Sequence, residues 1–518
     1  MNDSASVFSY ERVVLIDSNP CTRLTLAGQF VKTRSVARPT QLAIFISILA
    51  IATRFFLIDQ PYIDNWSWRQ SDVAAIARNY LQNGFHFAYP QIDWAGDAPG
   101  YVGTEFPIFP FVAAICYKFF GVHEWVGRIQ GVILFAAALP FFFLLVREIF
   151  DAGVARWALV FYGFAPLNVF AGREFMPDVP SLSLALIGLY FFIRWTGDQK
   201  LTSLFAAAGI LGLSILIKAP SVLIGVPIGY IALRRFSFSA FRRVELWGFA
   251  AITLVPSIVW YWHAHRLAEA FYPHHFFGAG AFRIMNASWY LNIGYQIATS
   301  TLTPLLCVLA IAGLFVKRST NYAASFLYWL GAIALFIFAA GWGHRHQWYQ
   351  LPLIPIAAAF GGAACCWLGR KVRASMTEGF VAFVAILFVV VSLLSVRPFY
   401  RPSAADLRIA GLYLAQSTPK DSLIIAADYG DPTLFYYAKR KGWHFLEKDG
   451  IYNGHPASNA EAINDLEELR LHGATHIVFY SATFWWLDYY RQFAEHLGAT
   501  AIMMKSTPQF KIYRLQPE

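Results

Sequence analysis

Residues 107–122 read PIFPFVAAICYKFFGV, and whether this run crosses a bilayer decides the topology of the whole chain. It is apolar but short, and it carries Pro107, Pro110 and Lys118. Runs that approach the roughly 20 apolar residues a crossing helix needs lie near 41–58, 125–146, 155–171, 180–194, 202–217, 220–233, 246–262, 302–316, 324–341, 351–368 and 380–396, about eleven spans in all. One set of connectors is short and basic: Arg147 with Arg156, Arg194 with Lys200, Arg234, Arg235, Arg242 and Arg243, Lys317 with Arg318, then Arg370, Lys371 and Arg373. Counting 107–122 as a span would put Arg147 and Arg156 outside and invert every later loop. A helix lying along the membrane surface keeps the pattern consistent. The positive-inside rule then places the basic connectors, and the tail with Lys32, Arg34 and Arg38, in the cytoplasm. The other connectors and everything after Ser395 are expected on the opposite side. The expected fold is a polytopic α-helical membrane protein with a C-terminal extracytoplasmic α/β domain. It divides into a cytoplasmic tail (1–40), a transmembrane module (41–396, first outside loop 59–122) and a soluble domain (397–518).

Composition agrees. The 518 residues are 57% apolar and 14% charged, too apolar for one soluble core of this length. The net charge of +10 sits largely in the basic connectors, so membrane orientation explains it without nucleic acid. The five cysteines, Cys21, Cys116, Cys307, Cys365 and Cys366, show neither a disulfide framework nor zinc spacing. The first 40 residues lack the apolar core of a cleavable signal peptide, so the first span is the expected insertion signal. An integral, multi-pass inner (plasma) membrane protein follows.

The carboxyl-terminal region alternates predicted strands (422–428, 475–480, 510–515) with helical patterns (404–416, 459–472, 483–497). Asp428-Tyr429-Gly430-Asp431-Pro432 follows a strand and opens a helix. A ligand can bind at such a strand end, but a helix cap at Asp431 with Pro432 in the first position accounts for the segment more simply.

Polar residues suited to chemistry gather in the outside loops. The first holds Asp59, Asp64, Asp72, Asp93, Asp97 and Glu105 against Arg69, Arg78 and Lys118. Trp68-Arg69-Gln70-Ser71-Asp72 leads into an amphipathic pattern that predicts a helix on the membrane with Asp72 at its amino end. Asp72 is then either a general base or, behind a Ser71 cap, a partner of the helix dipole. The second loop is only Gly172-Arg173-Glu174-Phe175-Met176-Pro177-Asp178. The fifth holds Gly343-His344-Arg345-His346-Gln347-Trp348-Tyr349-Gln350. An interfacial aromatic belt explains its Trp and Tyr but not its His-Arg-His run; Arg and Tyr donors suit an anionic headgroup.

Trp68-Arg69-Gln70-Ser71-Asp72 with Ala77-Arg78-Asn79, then Glu105-Phe106-Pro107, Gly127-Arg128, Arg173…Pro177-Asp178 and His346…Tyr349-Gln350-Leu351-Pro352 occur in this order. The combination resembles the membrane-embedded GT-C glycosyltransferases, the group of the protein O-mannosyltransferases and lipid A aminoarabinose transferases. The likeness is greatest to the bacterial branch that uses polyprenyl-phosphate sugars. It covers roughly residues 60–360. The resemblance implies an extracytoplasmic transferase with Asp72 as the base, Asp178 as the second-loop carboxylate and Glu105 as the acid before a proline. Some relatives carry a phosphate-holding lysine after that acid, where this chain has Phe106. Phosphate contacts are therefore sought among Arg128, Arg173, Lys218, Arg345, His346 and Tyr349.

The chemistry fits these residue types. A carboxylate takes the proton from an acceptor hydroxyl as the new bond forms, and cations or fixed donors receive the charge of the departing lipid phosphate. One displacement with one base inverts the anomeric centre. No Asp-x-Asp triplet, the usual metal cradle for a sugar nucleotide, occurs in the chain. The expected partners are a polyprenyl-phosphate sugar donor, membrane lipids, and a glycolipid, glycan or protein acceptor. Histidines that favour the interface without binding anything are the simpler account of His263 and His265; the alternative is a divalent metal ion held by Glu105 with His263 or His265. A lipid-linked glycan ligase would share this chemistry. A flippase or transporter would want ionisable residues near the span centres, and the centres are apolar.

Overall fold

The computed structural model describes residues 37–276, 282–317, 320, 322–372, 374–448, 451–452 and 454–516. Of the predicted cytoplasmic tail, residues 1–36 lie outside the described residues, as do Arg318 and Arg373.

The protein is mostly helical. Six helices are long and apolar enough to cross a membrane: Glu124–Ile149, Asp178–Asp198, Ala219–Arg242, Val244–Ala270, Gln347–Gly369 and the apolar start of Thr377–Ser417. A seventh candidate, Ala287–Thr301 with Pro304–Leu314, is bent by 106°. Shorter apolar helices cover Gln41–Thr53, Ala152–Phe164, Leu201–Ile217 and Ala324–Ala339. Every expected span therefore coincides with helix, but several are short or broken. The run 155–171 is split into Ala152–Phe164 and Pro166–Ala171. Pro166 has no N–H to offer Tyr162, and the Asn168 amide donates to the Tyr162 carbonyl instead, at 2.8 Å. Arg54 satisfies the carbonyls of Gly163 and Asn168 at 2.6 and 3.1 Å.

The segment 107–122 forms helix Ile108–Phe120, 13 residues long. At 1.5 Å per residue it spans about 20 Å, short of the hydrocarbon thickness. It packs on helix Ser67–Asn83, with Tyr80 and Phe111 edge to face at 5.3 Å. Helix Ser67–Asn83 is not the surface helix its sequence predicts. Thirteen of its residues are buried, and Asp72 lies a turn and a half inside rather than at its start.

Basic connectors meet in pairs, 194–200 with 234–243 and 147–156 with 317–320. Arg235 donates to Thr196 O at 2.9 Å, Arg243 to Gln199 Oε1 at 3.0 Å, and Thr320 to Ile149 O.

The carboxyl-terminal region carries a five-stranded sheet. Its strands, in chain order, are β1 (Leu423–Ala427), β2 (Lys441–His444), β5 (Ala474–Tyr480), β6 (Ala501–Ser506) and β7 (Phe510–Leu515); β3 (Glu447–Lys448) and β4 (Ile451–Tyr452) form a separate ladder. The order is β2-β1-β5-β7-β6, with β2, β1 and β5 parallel and β7 and β6 antiparallel. β2 and β6 were not legible as strands. This region rests on the first loop: Ser67 donates to Asp431 at 2.7 Å, Ser71 and Thr433 hydroxyls meet at 2.9 Å, and Arg78 donates to Tyr436 O. Gly96 N–H donates to Gly442 O at 2.8 Å and Gly442 N–H to Asp93 O at 3.1 Å. Gly96 has φ +57°, and a Cβ there would fall 1.9 Å from Trp443, so both the turn and the approach require glycine.

Beneath the loop, Asp64 is fully buried between two arginines. It lies 2.7 Å from Arg173 Nη2 and 3.3 Å from Arg128 Nη2, and accepts from Gln70 Nε2 at 2.7 Å. Removing one partner of such a buried pair costs about 3–5 kcal/mol. Asp64→Ala should therefore lower the unfolding temperature of the purified protein and its accumulation in membranes, whereas Arg345→Ala should leave both near wild type.

Candidate active site

A cavity of about 730 Å³ opens between the first loop, the fifth loop and the carboxyl-terminal region. One wall is a line of ions alternating in sign. Asp72 Oδ2 lies 3.3 Å from Arg69 Nη1, and Arg69 Nη2 is 2.7 Å from Glu105 Oε2. Glu105 Oε1 is 3.1 Å from Lys218 Nζ, which is 3.2 Å from Asp178 Oδ1. Each of the five is less than 10% exposed. Arg69 and Asp72 meet because they stand at i and i+3 on one helix face. Lys218 arrives from the break between helices Leu201–Ile217 and Ala219–Ile224, and Asp178 opens the helix Asp178–Asp198.

The acids differ in environment. Burial alone would raise the Glu105 carboxyl, but Arg69 and Lys218 outweigh it and hold Glu105 far below the usual carboxylate range. Asp72 has only the longer contact to Arg69 and a 3.0 Å hydrogen bond from the Trp94 indole. Burial prevails, and its carboxyl is pushed up to about 6.

The opposite wall comes from the fifth loop. His346 stacks on Trp348 at 4.5 Å, and burial drives its pKa down to about 3, so the ring is neutral. Tyr349 places its ring 5.2 Å from Lys218 Nζ. Arg345 is exposed on the cavity, stacked over Trp342 at 4.9 Å, and has no carboxylate partner among the described residues. Past Lys218, Trp348 and Tyr349 the cavity adjoins a narrow apolar space lined by Asp178, Leu223 and Phe336. Leu223 and Phe336 also line an open apolar groove of about 930 Å³ with Val226, Tyr328 and Leu335.

The structure thus gathers Asp72, Glu105, Asp178, Lys218, Arg345, His346 and Tyr349. Arg128 and Arg173 stand apart, wholly buried and engaged by Asp64, Gln70 and the carbonyls of Ile58 and Leu57. Glu105, His263 and His265 do not fit one metal ion. Glu105 is committed to its two cations, His263 Nε2 lies 2.8 Å from Ala88 O, and His265 is exposed beside Glu269. Among the described residues no group of three or more His, Cys, Asp or Glu side chains is placed to hold a metal ion. Sequence reasoning passed over Arg69, whose i,i+3 spacing to Asp72 was the available signal, and over Trp94 and His444, for which no local pattern exists.

Residues 99–262 match the family model of the dolichyl-phosphate-mannose-protein mannosyltransferases. No protein of curated function matches the sequence. ArnT from Cupriavidus metallidurans, solved with undecaprenyl phosphate, superposes with a TM-score of 0.61 at 14% identity, over 92% of this chain and 98% of that one. The oligosaccharyltransferase of Archaeoglobus fulgidus gives 0.58 at 13% identity, over 87% and 70%; one of its structures holds Zn and sulfate. The arabinofuranosyltransferase AftD from Mycobacteria gives 0.53 at 14% identity, over 92% and 40%. At these identities the likeness is one of fold. On that level the resemblance read from the residue motifs is borne out: the chain is similar in fold to the GT-C glycosyltransferases.

Proposed function

We propose that the protein is an inverting glycosyltransferase that moves a sugar from a polyprenyl-phosphate donor to an acceptor hydroxyl on the extracytoplasmic face of the membrane. The observation that carries this reading is one cavity joining a buried, weakly compensated carboxylate, Asp72, to a cation with no carboxylate partner among the described residues, Arg345, and connected through a narrow space to an apolar groove suited to a lipid tail. Asp72 takes the proton of the acceptor hydroxyl while its oxygen bonds to the anomeric carbon. The bond from that carbon to the phosphate oxygen breaks, and Arg345, Tyr349 and Lys218 receive the charge left on the lipid phosphate. Arg69 and Glu105 hold Asp72 and Lys218 in place, and Asp178 fixes the other side of Lys218.

The adjoining basic connectors support an orientation with that end in the cytoplasm and the cavity outside. An impermeant thiol reagent applied to intact cells should label a cysteine introduced near residue 500; protection of that position would reverse the orientation.

For the chemistry, Asp72→Asn keeps shape and polarity but cannot accept a proton. Membranes carrying it should bind a polyprenyl-phosphate sugar yet transfer it about a hundred- to ten-thousandfold more slowly. In the wild type kcat/KM should rise with pH through about 6, as Asp72 loses its proton. Transfer by Asp72→Asn at the wild-type rate would remove the base from this position.

Arg345→Ala and Tyr349→Phe should each weaken use of the donor about tenfold or more, because hydrogen bonds to charged groups contribute roughly 1.5–3 kcal/mol. Donor kinetics unchanged in both variants would place the phosphate elsewhere.

A further inference from the structure

The cavity has a third wall that the proposed chemistry leaves unused, and the carboxyl-terminal region builds it. β2, β1 and β5 are adjacent and parallel, so their carboxyl ends lie side by side. β2 ends at His444, β1 leads into Asp428 and β5 ends at Tyr480, and all three residues line the cavity. The carboxyl ends of parallel strands are where α/β sheets bind ligands.

Asp428 and His444 form a built pair. His444 Nδ1 lies 2.8 and 2.9 Å from the two carboxylate oxygens of Asp428, and both residues are nearly inaccessible. Asp428 is itself held by the Gly430 N–H at 3.0 Å. With Nδ1–H donating to the carboxylate, the ring presents Nε2 as an acceptor, and Nε2 has no partner among the described residues. Trp94 connects this pair to the proposed base: its ring is 5.3 Å from that of His444, and its indole N–H donates to Asp72.

The lining selects a ligand class. Asp428 and Asp431 oppose an anion at this wall, while His444 Nε2 calls for a hydroxyl donor. Trp94, Tyr429, Tyr452 and Tyr480 offer aromatic faces to C–H groups. A peptide adding to the sheet would need a free strand edge. The β2 edge is occupied at Gly442, which exchanges hydrogen bonds with Gly96 and Asp93.

We propose that these strand ends are the acceptor subsite, and that His444, oriented by Asp428, accepts a hydrogen bond from a saccharide headgroup lying against Trp94. The inference rests on the transferase reading for the term acceptor, and its test is independent of transfer. His444 is a positioning residue here, setting a neighbouring hydroxyl so that another reaches Asp72.

The test uses the full chain in lipid nanodiscs free of sugar detergents, with cellobiose and diacetylchitobiose as probes in saturation-transfer NMR. Ring protons of at least one disaccharide should receive saturation. His444→Phe, which keeps the ring's bulk but not the acceptor, should weaken binding about three- to tenfold, the range for one lost hydrogen bond. His444→Gln, which retains an acceptor, should recover most of it, and Asp72→Asn should bind the probe while failing to transfer. Absence of saturation on both probes, wild-type affinity in His444→Phe, or a His444→Gln variant as weak as His444→Phe would overturn the proposal. If the wild type transfers nothing from a polyprenyl-phosphate sugar while His444→Phe loses the probe, the transferase reading fails and the saccharide site stands.

Discussion

Everything around the cavity follows from the cost of burying charge. Asp72, Arg69, Glu105, Lys218 and Asp178 are all nearly out of reach of water, and an ion in such a place must find opposite charge or lose its own. The solution is an alternating line, which only works if the helix Ser67–Asn83, the extended segment at Glu105, the start of helix Asp178–Asp198 and the helix break at Lys218 converge. Three carboxylates face two cations, so compensation is incomplete. The shortfall is not shared evenly: Glu105 touches both cations, while Asp72 has one cation at 3.3 Å. Asp178 likewise touches one cation, Lys218 at 3.2 Å, but of the two only Asp72 lines the main cavity, which makes it the base in the proposed reaction.

The motif that supplies Arg69 and Asp72 also explains why a polar helix is buried on all sides. Successive residues point to different partners. Ser67 and Ser71 meet Asp431 and Thr433 of the carboxyl-terminal region, Gln70 meets Asp64 below, and Arg69 and Asp72 face the cavity. One helix thereby ties the membrane-facing layers, the cavity wall and the sheet together. Rotation by a single residue would exchange all three sets of partners.

This division also sets what the sequence could reveal. Apolar runs announced their helices, because twenty residues of hydrocarbon-like sequence have few other uses. The break at Pro166 escaped because its rescue by Asn168 and Arg54 is a tertiary event. Asp178 and Lys218 were legible as charges at the ends of apolar runs, and Asp72 and Glu105 as acids of the first outside loop. Arg128 and Arg173 carried the same signal and yet are engaged by Asp64, since a sequence shows where an arginine lies but not which carboxylate neutralises it. In the Asp428-Tyr429-Gly430-Asp431-Pro432 turn the helix begins at Thr433, one residue later than expected, with Pro432 rather than Asp431 at the N-cap. Asp431 Oδ1 accepts the Thr433 N–H at 2.9 Å as a cap does, while Asp428 faces the cavity with His444. Nothing local pairs Asp428 with His444, because β2 joins β1 only once the parallel sheet exists.

Burial also sorts the cations. The loss of water that raises Asp72 drives His346 down to about 3, so a histidine placed among aromatics is neutral there. Lys218 keeps its charge through Glu105 and Asp178, but the same acids spend most of its field. Arg345 differs from both. It reaches the cavity from an exposed position, leans on Trp342 rather than on a carboxylate, and so retains a full positive charge to offer an incoming anion. A phosphate arriving by way of the apolar groove would meet Tyr349 and Lys218 beside Arg345, while the acid line and Asp72 stand behind Arg69. The cavity therefore has an electrostatic direction, from an uncompensated cation on the fifth loop to an under-compensated carboxylate on the first. The transfer proposed for this cavity, from a phosphate to a hydroxyl, would run along that axis.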